Sequence, residues 1–130
     1  MCELEHLKPG LVHERRAIVT PDMVTTHVTL DSKGVLTTAA MFTMMEMAGQ
    51  EAVQPYLPPE HTTVGYELHI RHLASAPLGA EVRARAELLK MQGRKLRFKV
   101  EAYHGDRKIG EGTHVRAIVR VGRLATPEQC

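Results

Sequence analysis

The sequence lacks the features that mark several large classes of protein. Its two cysteines, Cys2 and Cys130, lie at opposite ends of the chain, so neither a disulfide framework nor a zinc ribbon is indicated. No apolar run is long enough to span a bilayer, and residues 1–5 lack the basic and apolar regions of a signal peptide. We therefore predict a cytoplasmic protein without a membrane partner.

An excess of charge is also missing. The net charge is only +2, and the basic side chains that cluster on two predicted strands have no aromatic residues between them. A solvated sheet face explains that cluster, and we predict no nucleic-acid partner. The cluster consists of Arg83, Arg85, Lys95, Arg97 and Lys99.

Familiar catalytic motifs are absent as well. The chain has no glycine-rich phosphate loop, no GxSxG turn and no HExxH helix. His69 and His72 are three residues apart on a predicted strand and face opposite ways, which argues against a zinc site. We predict neither a metal nor another cofactor.

The chain length and composition fit one folded domain over residues 1–130. A chain of 130 residues can bury one hydrophobic core, and its 43% hydrophobic and 25% charged residues are typical of globular proteins. We find no linker or internal repeat that would divide it.

One long helix is predicted in the first half of the chain. Thr37 or Thr38 can cap its start, and Pro55 ends it at about Gln54, because proline disfavours helical geometry in the residue before it. Apolar residues cover much of its surface, so this helix must be largely enclosed.

Five strands are predicted around that helix. Residues 22–34 read as a loop, and after the helix the hydrophobic period changes to two, with turns at Gln92–Gly93 and near Gly105. The order indicates an α+β domain in which an antiparallel sheet, joined mostly as a meander, curls around the helix. The predicted strands cover residues 12–20, 64–72, 82–88, 96–102 and 108–121.

Glu46 is the first candidate for chemistry. It lies in the middle of the helix among methionines, where an ionised carboxylate away from water is costly without a partner. An alternative is a solvated helix stripe formed by Thr43, Glu46, Gln50 and Gln54, which repeat at helical spacing.

Three further residues have both a structural and a functional interpretation. Thr38 lies eight residues before Glu46 and can border the same pocket, although a cap is its commoner role. His72 follows the apolar side of its strand, where it can serve a substrate or simply satisfy a backbone carbonyl. Gly65 indicates a bulge or the close approach of another group.

Five sequence motifs, in this order along the chain, resemble those of the fluoroacetyl-CoA thioesterase-like family of the hotdog superfamily. The resemblance covers almost the whole chain from about residue 20 to 121, and it implies a five-stranded antiparallel sheet wrapped around one central helix. The motifs are VLTTAAMFTMMEMAG at 35–49, PYLPPE at 55–60, VGYELHIRHLASAPLG at 64–79, GRKLRF at 93–98 and IGEGTHVRA at 109–117.

This resemblance implies a function and a site. It implies hydrolysis of an acyl-CoA thioester to free acid and coenzyme A, with a short or substituted acyl group favoured, by a homodimer or a dimer of dimers. It places the catalytic residues at Thr38, Glu46 and His72, with Glu46 as nucleophile or general base, and substrate-binding residues at Gly65 and Arg116.

One departure from the family bears on the substrate. The fluoroacetyl enzyme has a phenylalanine-containing segment before its helix, whereas VTLDSKG at 28–34 contains no aromatic residue, so the resemblance does not extend to fluoroacetyl specificity. The competing function is a non-catalytic protein that binds acyl-CoA or another small ligand. Hydration of enoyl-CoA ranks below both, because the usual catalytic aspartate motif is missing.

Overall fold

The computed structural model describes residues 7–122, so Cys2, Cys130 and residues 1–5 lie outside the described part of the chain. Within it, one α-helix packs against a five-stranded antiparallel sheet, as the α+β prediction requires. No helix in this part is both long and apolar enough to cross a membrane. The elements are β1 (Val12–Ile18), β2 (Val24–Thr25), β3 (Val35–Leu36), α1 (Thr38–Val53), β4 (His61–His72), β5 (Glu81–Gln92), β6 (Lys95–His104) and β7 (Arg107–Arg120), with short 3-10 helices at Pro21–Met23 and Gln54–Tyr56.

The strand order in the large sheet is β1-β5-β6-β7-β4. Strands β5, β6 and β7 form the predicted meander, and β1 pairs with β5 at one edge. Strand β4 differs from a simple meander, because it pairs with β7 at the opposite edge and not with the strand that follows it. The chain therefore crosses the sheet between β4 and β5, and β4 keeps one edge free of any described partner.

A threonine side chain caps the start of helix α1 by accepting a hydrogen bond from a backbone N–H of its first turn. The backbone N–H of Ala40 donates to Oγ1 of Thr37 over 3.0 Å, which makes Thr37 the cap. Pro55 stands in the short 3-10 helix that follows, so the predicted end at about Gln54 is confirmed to within one residue. The buried side of α1 faces the sheet and comprises Met41, Met44, Met45, Ala48, Gly49, Ala52 and Val53.

The core lies between α1 and the inner face of the sheet. Strands β5 and β6 bury every second residue there, which is the pattern that the alternating sequence predicted. A fully buried leucine or phenylalanine contributes about 1.5–3 kcal/mol to folding, so this layer holds the helix in place. The buried residues of the two strands include Val82, Ala84, Ala86, Leu88, Leu96, Phe98, Val100 and Ala102.

Strand β4 contains a bulge at the place that Gly65 predicted, although the alternating pattern assumed an unbroken strand. Its register with β7 shifts between Gly65 and Glu67, and the extra residue, Tyr66, is 62% exposed. An unbroken period of two over Val64, Tyr66, Leu68 and Ile70 predicts that Tyr66 faces the apolar side together with Leu68, and this prediction is wrong. Because the bulge shifts the alternation by one residue, Gly65 and Leu68 both face the helix.

Two glycines of β7 allow neighbouring elements to pack closely. A Cβ atom on Gly110 would lie 2.5 Å from the sulfur of Met41, so the helix rests directly on this part of the strand. A Cβ atom on Gly112 would overlap the backbone carbonyl oxygen of His69 on β4. A side chain at Gly110 would displace the ends of methionine side chains of α1, whereas one at Gly112 would push against the backbone of the paired strand β4.

Candidate active site

Thr38 and His72 form a hydrogen-bonded pair in which Oγ1 of Thr38 lies 2.8 Å from Nδ1 of His72. Thr38 is the first residue of α1, and His72 is the last residue of β4. Because Thr37 caps the helix, the hydroxyl of Thr38 is not needed for capping. The alternative assignment of Thr38 as a cap is therefore wrong.

The second nitrogen of His72 is buried without a partner. Its Nε2 atom has no hydrogen bond to any of the residues in the described range 7–122. A buried polar atom left unpaired costs about 1–3 kcal/mol, so such an atom calls for an explanation. No described residue accounts for this buried nitrogen in the single chain.

Glu46 stands apart from this pair in the single chain. It lies two turns further along α1, about 12 Å along the helix axis from Thr38. It is half-buried, and its carboxylate receives no hydrogen bond from the described residues. It lies against Gly65, where a Cβ atom would be 2.5 Å from Oε2 of Glu46. The close approach that Gly65 suggested is therefore that of a carboxylate.

The predicted stripe on α1 is only partly solvated. Thr43 is exposed, but Gln50 is half-buried like Glu46, and the amide of Gln54 donates to the carbonyl oxygen of His61 over 2.9 Å. Met47, which the stripe did not include, is exposed. A simple amphipathic pattern therefore does not account for Glu46.

Arg116 lies in the buried layer beneath Glu46, only 6% exposed. Its Nε donates to Oγ1 of Thr63 over 2.6 Å, and one terminal nitrogen donates to the carbonyl oxygen of Thr63 over 3.0 Å. The other terminal nitrogen lies 3.1 Å from Nε2 of His114 and 3.4 Å from the carbonyl oxygen of Glu46. Most of the donors of Arg116 are thus committed to the protein itself.

His114 also belongs to this hydrogen-bond network. It lies two residues before Arg116 on β7, so both side chains are on the inner face of the sheet. Its Nδ1 lies 2.9 Å from the carbonyl oxygen of Glu67, immediately after the bulge. Burial lowers the pKa of His114 below the usual value of histidine, and the positive charge of Arg116 acts in the same direction. The hydrogen bond to Glu67 and the charge of Glu46 oppose that shift without reversing it.

A cavity of about 200 Å³ opens beside the carboxylate of Glu46. It is lined by four residues of α1 and by the bonded pair of Thr63 and Arg116 beneath them. The helix residues are Thr43, Glu46, Met47 and Gln50.

The five predicted site residues thus fall into two groups in one chain. Thr38 and His72 form the first group, and Glu46, Gly65 and Arg116 form the second. Sequence reasoning missed Thr63 and His114. The signal for His114 was available, because a histidine two residues before Arg116 shares its face in a largely buried strand.

A metal centre finds no support in the described chain. Between residues 7 and 122, no group of three or more histidine, cysteine, aspartate or glutamate side chains is arranged to hold a metal ion.

Comparison with known proteins gives consistent matches across the chain. The family model described as fluoroacetyl-CoA-specific thioesterase matches residues 19–122. The fluoroacetyl-CoA thioesterase of Streptantibioticus cattleyicolor is 38% identical over 90 residues, which span 69% of this chain and 65% of that protein. The chain thus matches just under two thirds of this relative's length.

Solved structures agree with the sequence matches. A structure of the fluoroacetyl-CoA thioesterase has a TM-score of 0.82 and 30% identity, covering 92% of this chain and 93% of the other. A thioesterase superfamily member from Thermus thermophilus has a TM-score of 0.81 and 30% identity, covering 92% and 88%.

A more distant likeness concerns the fold alone. A hot-dog-like protein from Thermanaerovibrio acidaminovorans has a TM-score of 0.79 at 20% identity, covering 90% of this chain and 87% of the other. The predicted hotdog fold is confirmed, and the chain belongs to the fluoroacetyl-CoA-specific thioesterase family.

Proposed function

We propose that this protein hydrolyses acyl-CoA thioesters with a short or substituted acyl group, releasing the free acid and coenzyme A. Relatives of at least 30% identity include a fluoroacetyl-CoA thioesterase, and an open depression of about 200 Å³ lies beside Glu46. The observation that carries the proposal is the Thr38–His72 pair with its buried, unpartnered Nε2 atom.

The working unit in this proposal is a homodimer formed through β4. This strand is 12 residues long and lies at the edge of the sheet, so one side of its backbone lacks a described partner. Long free edges favour pairing with another strand, and a twofold-symmetric dimer pairs the same strand from each copy. Leu68 and Ile70 are half-buried on this strand, and such pairing would cover them further.

The register of that pairing follows from the two groups of site residues. If β4 pairs antiparallel with the partner's β4 around His69, Leu68 lies opposite the partner's Ile70 on the inner face. Two positions further along, the bulge absorbs Tyr66, and Gly65 lies opposite the partner's His72. Glu46 of one chain, which sits over Gly65, then meets Thr38 and His72 of the partner subunit.

Each composite site contains the groups needed for thioester hydrolysis. Glu46 acts as a general base, taking a proton from water as its oxygen adds to the thioester carbonyl carbon, or as a nucleophile that adds to this carbon directly. In the first route the C–S bond breaks, and the thiolate of coenzyme A receives the proton that Glu46 took from water, passed on through the partner's His72, which regains the proton that it gives. In the second route the C–S bond breaks to leave a mixed anhydride on Glu46, which water hydrolyses to the free acid and the Glu46 carboxylate, and the proton released by that water goes to the thiolate. Thr38 orients this imidazole through Nδ1, and Gly65 leaves room for the acyl carbonyl.

Thiol release from acyl-CoA tests this function directly. Acetyl-CoA and acyl-CoA compounds of increasing chain length and α-substitution are given to the parent, to Glu46→Gln and to the control Glu81→Gln. Glu81 is exposed and pairs with Arg16, away from the site. We expect Glu46→Gln to lose roughly a hundredfold or more in kcat and the control to stay within about twofold of the parent.

The alternative of a binding protein gives a different result. A non-catalytic acyl-CoA binder would retain affinity for the acyl-CoA but release no thiol in the parent or in any variant. That outcome across the whole acyl series would overturn the proposed hydrolysis.

A further inference from the structure

The protonation state of His114 follows from its two partners. The carbonyl oxygen of Glu67, 2.9 Å from Nδ1, can only accept a hydrogen bond, and the guanidinium of Arg116, 3.1 Å from Nε2, can only donate one. Nδ1 must therefore carry a hydrogen, and Nε2 must be bare. Of the three forms of imidazole, only the neutral form protonated on Nδ1 makes both bonds.

His114 and Arg116 together hold both sides of the β4 bulge. Arg116 bonds twice to Thr63, two residues before Gly65, and His114 bonds to Glu67, two residues after it. The bond between Arg116 and His114 joins these attachments into one continuous network. The bulged backbone is thus fixed at both ends by buried side chains of β7.

The same network reaches the helix. A terminal nitrogen of Arg116 lies 3.4 Å from the carbonyl oxygen of Glu46. Gly49 of α1 lies against the ring of His114, where a Cβ atom on the glycine would be at ordinary contact distance, 3.4 Å from Cδ2 of His114. Arg116 and His114 therefore fix the position of strand β4 relative to helix α1, although neither side chain is assigned a part in the reaction itself.

We infer that His114 is a positioning residue, whose neutral form with hydrogen on Nδ1 locks the β4 bulge and so holds Gly65 against the carboxylate of Glu46. This role rests on the proposed function only in that Glu46 is taken as the reacting group. The lock itself is a property of the folded protein and can be tested without any substrate.

The surroundings of His114 favour the neutral form. The charged groups that face it are Arg116 on its own strand and Glu46 on α1. Strand β6 contributes the uncharged ring of Phe98, stacked with its centroid 6.2 Å away. From β4 it meets the backbone of Glu67, because the carboxylate of Glu67 pairs with His69 instead.

Nitrogen NMR of the histidine-labelled parent protein tests the lock directly. We expect the signals of His114 to show hydrogen on Nδ1 and a bare Nε2 near neutral pH, the opposite of the tautomer that free histidine prefers. A neutral ring with hydrogen on Nε2, an averaged mixture of tautomers, or a protonated ring at pH 7 would overturn the inference. The signals are assigned by comparison with His114→Gln.

Two substitutions then separate positioning from packing. The side-chain amide of His114→Gln can still donate to the carbonyl of Glu67 and accept from Arg116, whereas His114→Phe keeps the ring and its stacking but makes neither bond. We expect kcat to fall roughly tenfold or more in His114→Phe with KM within about threefold, and to remain at a third or more of the parent value in His114→Gln. His104→Phe, at the far end of β6, is the control and should retain the parent kcat.

Each outcome of this comparison is decisive. Equal kcat values for His114→Phe and the parent, or equal losses in the Phe and Gln variants, would show that the hydrogen bonds do not position the site. If the parent itself hydrolyses no acyl-CoA, the proposed function fails, and the NMR measurement still decides whether the lock exists.

Discussion

Gly65 lies so close to the carboxylate of Glu46 that a Cβ atom on the glycine would be 2.5 Å from Oε2. Because that oxygen is the end of a flexible side chain, Gly65→Ala should displace the carboxylate while costing little in folding. We expect kcat/KM for acyl-CoA to fall roughly tenfold or more and the free energy of unfolding to change by less than about 1 kcal/mol. Thiol release and urea unfolding measure the two effects.

A second glycine provides the matched control. In Gly112→Ala the new methyl group would meet the backbone carbonyl of His69, which cannot rotate away as a side chain can. We expect a loss of about 1–3 kcal/mol in the free energy of unfolding. If Gly65→Ala were as destabilising as Gly112→Ala while its folded fraction stayed fully active, the contact with Glu46 would have no catalytic meaning.

The adjacent threonines at the start of α1 should separate stability from activity. Thr37→Ala removes the cap on Ala40 and should cost about 1 kcal/mol of stability with little change in kcat. Thr38→Val keeps the shape of the side chain but removes the hydrogen bond to His72, so kcat should fall with little loss of stability. Unfolding curves and thiol release on both variants check this, and the reverse pattern would contradict the assignment.

Glu101 makes the fold sensitive to acid. It is only 6% exposed on the outer sheet face, with Nζ of Lys108 at 2.9 Å from its carboxylate. Burial alone would raise the pKa of Glu101, but the hydrogen bond and charge of Lys108, with the charge of Lys99, lower it overall. A lowered folded-state pKa means that the carboxylate stabilises the fold above its unfolded pKa of about 4.3, and that this contribution disappears on further acidification.

The change Glu101→Gln should reveal this contribution. We expect the variant to be less stable than the parent at pH 7 and to lose less additional stability between pH 5 and pH 3. Urea unfolding over this pH range measures the difference, with Glu81→Gln as an exposed control. Parallel pH profiles for the parent and Glu101→Gln would rule out Glu101 as a source of acid sensitivity.

Local sequence patterns were sufficient for the helix and most of the sheet. The threonines before the apolar run and Pro55 after it define α1, because capping and proline geometry act within a few residues. Strict alternation in β5 and β6 likewise predicted which residues are buried. The position of β4 beside β7 was not predictable in this way, because strand pairing across the sheet depends on contacts between distant residues.

The candidate site shows the same limit. Gly65 was identified as the place for a bulge or a close contact, but the period of two assumed an unbroken strand and placed Tyr66 inside. The resemblance identified Glu46 and His72 together, yet no spacing along one chain indicated that they lie in separate groups. Their separation becomes apparent only from the positions of α1 and β4 in the fold.

Sharing of the site between two chains is tested most directly by mixing two inactive variants. Glu46→Gln and His72→Ala should each be nearly inactive as pure dimers. When the two are unfolded and refolded together in equal amounts, half of the dimers contain one copy of each, and such a dimer has one site with both Glu46 and His72 intact. We predict about a quarter of the parent activity for this mixture. A mixture no more active than the separate variants would contradict a site completed by the partner subunit.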